Sequence, residues 1–204
     1  MNLKLLPDAK RFFDFFFSFV ALVVLIPLFC AIGLTIKLTS KGPVFFKQER
    51  VGKNGIPFTL LKFRSMTVFK EASDGLFEPG NVSRVTTVGK FLRKTKLDEL
   101  PQLINVLLGE MSLVGPRPEV KKWVSAYPDR WMKVLTVLPG MTDNASIKFR
   151  SEEELLIQSE HPEKTYLEQV LPQKLTVYEH YVDNHSLTGD LKLIFKTVFY
   201  CVFK

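Results

Sequence analysis

The chain has 204 residues, a formal net charge of +7, and 18 Phe gathered mostly toward its two ends. That length supports one domain with a core and an appendage, and the basic balance points to nucleic acid, anionic lipid or a phosphorylated substrate. The two cysteines, Cys30 and Cys201, lie in apolar runs and read as reduced, buried thiols; His161, His180 and His185 are scattered, which excludes a Cys/His zinc site. A metal held by oxygen ligands stays open.

Residues 15–36 form an uncharged run of 22 residues, FFFSFVALVVLIPLFCAIGLTI. About 20 apolar residues span a bilayer core as a helix. The run is too long for a signal peptide and lacks a small-residue cleavage site. Pro27 sits near its middle, where it removes a backbone donor and favours a kink. Lys4, Lys10 and Arg11 precede the run, and Lys37, Lys41 and Lys47 follow it. Positive charge at both ends gives no orientation. A kinked single span and a helix that breaks at Pro27 and returns to the same face both fit.

The segments VFFKQ and PFTLLKF flank Gly52-Lys53-Asn54-Gly55, which predicts a β-hairpin with paired strands over residues 44–63. Residues 70–83 are polar, with Gly75, Pro79, Gly80 and Asn81, and read as a loop. Arg84, Lys90, Arg93, Lys94 and Lys96 make a basic cluster. Leu100, Leu103, Ile104, Leu107, Leu108 and Met111 follow helical spacing, with Asp98 suited to cap the helix and Gly109 to end it. Residues 119–137 read as a helix closed by Pro139-Gly140. Residues 151–187 read as charged helix broken at Pro162 and Pro172. The apolar tail from Leu191, carrying Lys192, Lys196 and Lys204, suits an interfacial helix or a terminal packing helix.

Asp98 and Glu99 are adjacent acids directly after the basic cluster. Taken alone, the pair has three readings: a helix cap facing the helix dipole, a divalent-metal site, or a carboxylate nucleophile toward phosphorus. A carboxylate that attacks a diphosphate needs cations to offset repulsion. Arg84, Arg93, Arg117 and Arg150 are candidates.

The surroundings of the pair carry a resemblance. Lys96-Leu97-Asp98-Glu99-Leu100-Pro101-Gln102-Leu103, then Asn105-Val106-Leu107 and Met111-Ser112-Leu113-Val114-Gly115-Pro116-Arg117-Pro118-Glu119, closely resemble the bacterial sugar transferases, the small monotopic phosphoglycosyl transferases. Upstream, Lys10-Arg11-Phe12, Asp14, Gly42 to Phe46, Gln48, Arg50, Gly52 and Lys62-Phe63-Arg64-Ser65-Met66 match in order. Arg84-Val85-Thr86, Gly89 and Leu92-Arg93-Lys94 lead into the pair, and Pro139-Gly140-Met141-Thr142 follows it. The resemblance covers about residues 10–150. The sequence departs from the family pattern at Ile26-Pro27, where Ser-Pro is common, and over residues 143–149.

This resemblance implies an α/β protein, mostly helical with a small β-hairpin, on a monotopic membrane anchor. Residues 1–40 are expected to form a re-entrant helix-break-helix involving Lys10, Arg11 and Pro27, and residues 41–204 the catalytic domain. It implies transfer of a sugar-1-phosphate from a uridine diphosphate sugar to polyprenyl phosphate, with Asp98 as nucleophile and Glu99 beside it. Mg2+ is the implied cofactor, touching Asp98. Lys62, Arg64, Arg84, Arg93, Arg117 and Arg150 are the implied substrate and phosphate contacts. The implied setting is the bacterial inner membrane, on its cytoplasmic face. A homodimer is compatible with the sequence; nucleic acid is not an expected partner, because only Phe91 interrupts the basic cluster and no nucleic-acid motif is present. A catalytically silent membrane module that binds lipid or a partner is the rival reading.

Overall fold

A computed structural model describes residues 7–67 and 84–202. The expected loop at 70–83 lies outside the described residues. A long helix, α1 (Pro7–Thr39), is followed by the hairpin strands β1 (Phe45–Val51) and β2 (Pro57–Phe63). Next come α2 (Thr87–Lys94), α3 (Gln102–Leu108), β3 (Ser112–Val114), α4 (Lys121–Val124), α5 (Pro128–Val134) and β4 (Gly140–Thr142). The described chain after β4 is mostly helical: α6 (Asn144–Lys148), α7 (Glu152–Gln158), α8 (Pro162–Thr165), α9 (Leu171–Asn184) and α10 (Leu187–Val202). The protein is thus mostly helical with little sheet, as the resemblance implied.

The hairpin is antiparallel and in the expected place, with Phe45 opposite Phe63 and Val51 opposite Pro57. Its turn needs positive φ at Asn54 (57°) and Gly55 (77°), which these two residue types tolerate. Strand alternation then sorts β2. Phe58, Leu60 and Lys62 share one face by their spacing, while Phe63 packs on the other side. Phe58 and Leu60 meet Val106 and Met111 around α3; Phe63 joins Leu92 of α2 and Ile32 and Ile36 of α1. The largest core surrounds Trp123, Trp131, Tyr166, Leu171, Leu175 and Tyr178.

Three expectations change. Helix 119–137 divides into α4 and α5, because Pro128 occupies the first turn of a new helix. Pro172 does not break its helix: it sits in the first turn of α9, with helical structure running unbroken from α8 through a π-helical segment, Tyr166–Val170. Cys30 is exposed on α1 rather than buried; the Cys201 side chain lies outside the described residues.

Pro27 lies inside α1, whose helical hydrogen bonding runs from Pro7 to Thr39; a proline at such a position bends a helix without ending it. Residues 9–39 are long and apolar enough to cross a membrane, and little of that stretch is buried by protein, which makes the helix compatible with membrane association. Phe15, Phe16, Phe19, Val23, Val24 and Ile26 are all exposed. Yet both ends dock on the same protein body. Near the start, Arg11 donates to the Val106 and Leu107 carbonyls at the end of α3, Asp14 accepts from the Leu113 amide at 3.1 Å, and Lys10 pairs with buried Asp190. Near the finish, Arg64 donates to the Ser40 and Lys41 carbonyls, each at 2.9 Å, and caps the helix.

Strands β3 and β4 pair in parallel, Ser112 with Gly140 and Val114 with Thr142. They press Gly115 and Gly140 together: a Cβ on Gly140 would lie 2.0 Å from the Gly115 nitrogen. That neighbour is backbone and cannot rotate away. Gly140→Ala should therefore lower stability by about 2–4 kcal/mol, read as a reduced thermal midpoint in detergent; an unchanged midpoint would contradict this packing.

Candidate active site

Lys96 closes α2 in a left-handed conformation, φ 59°, and one 3-10 turn, Leu97–Glu99, then precedes α3. A lysine at positive φ is uncommon and reverses the chain sharply. The reversal turns Asp98 and Glu99 inward, 7% and 9% exposed. Asp98 is not the cap of α3, whose helical residues begin only at Gln102 after Pro101. Released from capping, both carboxylates face the charges of β2 and of the turn after β3.

Glu99 is held by two cations. Lys62 Nζ donates to Glu99 Oε1 at 2.9 Å. Arg117 spans the same carboxylate, Nη1 to Oε2 at 3.3 Å and Nη2 to Oε1. Asp98 forms no ion pair of its own among the described residues, although the Lys62 charge acts on it. Lys62 owes its aim to strand parity. It is also fixed through Asn105, whose side chain accepts from the Leu61 amide at 3.0 Å and donates to the Thr59 carbonyl at 2.7 Å. Arg117 owes its aim to the turn that follows β3. Gly115 donates to the Thr142 carbonyl at 3.1 Å, and Gly140 to the Pro116 carbonyl at 2.8 Å. The two Gly-containing motifs, distant in sequence, thereby form one brace.

The adjacent acids differ electrostatically. Burial pushes the Asp98 carboxyl up, against the opposing charge of Lys62 and with that of Glu99. Burial also opposes ionisation of Glu99, but the charges of Arg117 and Lys62 and the Arg117 hydrogen bond outweigh it and hold Glu99 well below the usual carboxylate range. Glu99 in turn raises Arg117 well above its ordinary value, while burial lowers Lys62. One acid is a fixed anion; its neighbour, with no ion pair among the described residues, is a carboxyl whose charge is costly.

The other candidate residues lie apart. Arg64 is buried beneath the end of α1 and spends its guanidinium on the carbonyls there. Arg84 adjoins an isolated bridge between Met66 and Val85, its carbonyl accepting from the Thr67 amide at 3.0 Å; Arg93 is in the last turn of α2. Both residues make interactions of their own. Arg150 is exposed after α6, with its guanidinium 5.8 Å from the Tyr200 ring. Lys10 and Arg11 anchor α1, and Pro27 is exposed midway along it.

Asn105 was not among the predicted site residues, although its signal is simple. Helical spacing puts it with Leu103 and Val106 on the core side, and a buried amide must find partners. Asp143 is a second such residue. It is buried, caps α6 by accepting from the Ser146 amide at 2.7 Å, and its charge acts on Arg117. No group of three or more His, Cys, Asp or Glu that could hold a metal occurs among the described residues. With Glu99 taken by two cations, Asp98 is the carboxylate left to meet an ion. That suits Mg2+, which often uses one or two carboxylates and completes its shell with substrate phosphates and water.

Because the folded-state pKa of Glu99 is depressed, its pairing stabilises the protein above the ordinary value of 4.5 and is lost as pH falls through the lower folded value. Removing one partner of a buried pair costs about 3–5 kcal/mol. Glu99→Gln should therefore lower the thermal midpoint near neutral pH, and the gap from the native chain should shrink as pH drops below 4.5. A gap independent of pH would contradict the ion triad.

Comparison with known proteins gives the family. The model described as bacterial sugar transferase matches residues 6–204. The UDP-glucose:undecaprenyl-phosphate glucose-1-phosphate transferase of Klebsiella pneumoniae is 41% identical over 194 residues, covering 93% of this chain and 39% of that protein. The UDP-N-acetylgalactosamine-undecaprenyl-phosphate N-acetylgalactosaminephosphotransferase of Aeromonas hydrophila is 37% identical, covering 93% of this chain and 42% of that one. The exopolysaccharide production protein PSS of Rhizobium leguminosarum bv. phaseoli is 38% identical, covering 93% of this chain and 92% of PSS. The chain thus spans about two fifths of the first two relatives and nearly all of the third. With the family's motifs folded around one pair of acids, this chain belongs to the bacterial sugar transferases.

Proposed function

We propose that the protein transfers a sugar-1-phosphate from a uridine diphosphate sugar to polyprenyl phosphate, through a covalent intermediate on Asp98. The observation that carries this reading is the division of labour between the two acids. Glu99 is a permanent counter-ion that keeps Lys62 and Arg117 beside Asp98. Asp98, with no ion pair among the described residues, is the carboxylate left for chemistry. The names of the Klebsiella and Aeromonas relatives support the donor and acceptor classes.

In the first step a carboxylate oxygen of Asp98 attacks the β-phosphorus. The bond from that phosphorus to the bridging oxygen breaks, its electron pair leaves with uridine monophosphate, and an acyl phosphate to the sugar forms on Asp98. In the second step an anionic oxygen of polyprenyl phosphate attacks the same phosphorus. The Asp98 oxygen–phosphorus bond breaks, the carboxylate returns, and a polyprenyl diphosphate sugar departs. Neither step requires a proton to be removed from its nucleophile, so Glu99 has no base role to fill. Lys62 and Arg117 offset charge on the diphosphate. Asp98 would hold Mg2+ together with the donor's phosphates, where the ion supplies further charge neutralisation. Arg84, Arg93 and Arg150 are proposed to meet phosphate groups as the substrates arrive.

The reading also needs a donor from water and an acceptor from lipid at one face. The docking of both ends of α1 on one body supports a re-entrant segment that dips into the inner membrane and returns to the cytoplasmic face. A straight span of the bilayer would separate those ends by the ~30 Å core.

The test is mass spectrometry of detergent-purified protein given Mg2+ and a panel of uridine diphosphate sugars without lipid acceptor. Native protein should gain the mass of one phosphosugar, and Asp98→Asn should gain none. If neither gains mass and no uridine monophosphate is released even with polyprenyl phosphate present, the silent membrane module replaces this reading.

The pH profile is a separate check. Burial raises the Asp98 pKa above 3.8, and the group must be ionised to attack. Adduct formation should fall in acid as Asp98 takes up its proton, and the fall should begin at higher pH when Mg2+ is lowered. A rate that stays flat through the whole carboxylate range at low Mg2+ would remove Asp98 as nucleophile.

A further inference from the structure

The segment after β4 carries none of the motifs around the acidic pair, but it reaches the active-site turn. Tyr166, 1% exposed, donates its hydroxyl to Glu119 Oε1 at 2.6 Å. Glu119 is itself buried and accepts from Arg50 Nη1 at 3.1 Å through its other oxygen. The same Arg50 nitrogen donates to the Pro118 carbonyl at 3.1 Å, and the Val51 amide donates to the Glu119 carbonyl at 2.9 Å. Residues 118 and 119 are thus fixed by side chain and backbone, immediately after Arg117.

Tyr166 has little freedom of its own. Its ring lies 5.0 Å from that of Trp123, and Lys174 Nζ stands 5.3 Å from its centroid. Lys174 is held in turn by Glu152 at 3.0 Å. The π-helical segment begins at Tyr166 itself. Such segments insert one extra residue per turn, redirect the side chains that follow, and occur often at functional sites.

We propose that Tyr166 is a positioning residue for the transfer reaction: through Glu119 and Arg50 it locks the turn that aims Arg117 at Glu99 and at the donor's diphosphate. The proposal rests on the function given above. It makes the helical segment from Pro162 to Asn184 a working part of the site rather than an appendage. Tyr166 touches no substrate; it acts on Arg117 through two intermediaries, and so its removal should matter only while Arg117 is present.

Two readouts test this, one of them independent of activity. Tyr166→Phe keeps the ring and deletes the hydroxyl. In hydrogen–deuterium exchange of the detergent-purified chain, the amides of Gly115, Arg117 and Glu119 (the intervening residues are prolines) should exchange faster in this variant, with peptides of α5 and α9 unchanged. In uridine monophosphate release, the variant should raise the donor KM about ten-fold, and the same substitution placed on Arg117→Ala should add almost nothing, because coupled residues are non-additive. Unchanged exchange at 115–119 overturns the proposal, as does exchange that rises throughout the Trp131 core, which marks a general packing role. Equal losses with and without Arg117 also overturn it. Glu119→Leu, which leaves neither the Tyr166 hydroxyl nor Arg50 an acceptor at this position, should loosen the turn at least as much as Tyr166→Phe; native-like exchange there would overturn the route through Glu119. A native chain that releases no uridine monophosphate from any donor sinks the proposed function, whereas the exchange result judges the brace on its own.

Discussion

The ion triad of Lys62, Glu99 and Arg117 is the constraint on which the site depends. Three pieces of chain, separated in sequence by 37 and 18 residues from Glu99, converge on one carboxylate. A buried anion without partners would be expelled or neutralised, and two buried cations without an anion would repel each other. Together they tolerate burial, and each fixes the direction of the others. Their effect falls on the neighbour. Asp98 sits among cations already committed to Glu99, close enough to feel them and with no ion pair of its own among the described residues.

Much of the surrounding fold serves to deliver those three side chains. Lys62 depends on the parity of β2 and on the Asn105 amide that ties β2 to α3. Glu99 depends on the left-handed Lys96. Arg117 depends on the contact of Gly115 with Gly140, where no side chain fits. Each delivery device is a local rule applied at a place where another residue type would fail. The large core around Trp131 and Tyr178 contributes from behind, since it holds the helices that back the Arg117 turn.

The sequence made some of this legible and hid the rest for physical reasons. The hairpin was readable because alternation and the Lys53-Asn54-Gly55 turn are local signals. The acidic pair was readable because its motif is contiguous. Asp98 was misplaced as a helix cap because spacing alone does not reveal a positive φ at a lysine. The split of 119–137 at Pro128 shows that a proline is as ready to start a helix as to end one. Arg64 could not be told from a phosphate ligand, since a guanidinium suits a helix C-terminus as well as an anion. The Tyr166–Glu119 contact spans 47 residues and leaves no periodic trace.

The docking of α1 has a consequence for biogenesis. Its first turns bond to a backbone made much later: the Leu113 amide that reaches Asp14 lies 99 residues downstream. At a synthesis rate of about 5–20 residues per second, the apolar helix emerges roughly 5–20 s before its docking surface exists. During that interval Asp14 and Ser18, both buried in the finished fold, have no protein to shelter them. The helix therefore has no docking partner until the Leu113 segment is made, and Asp14 and Ser18 reach their buried places only when the later chain folds onto it.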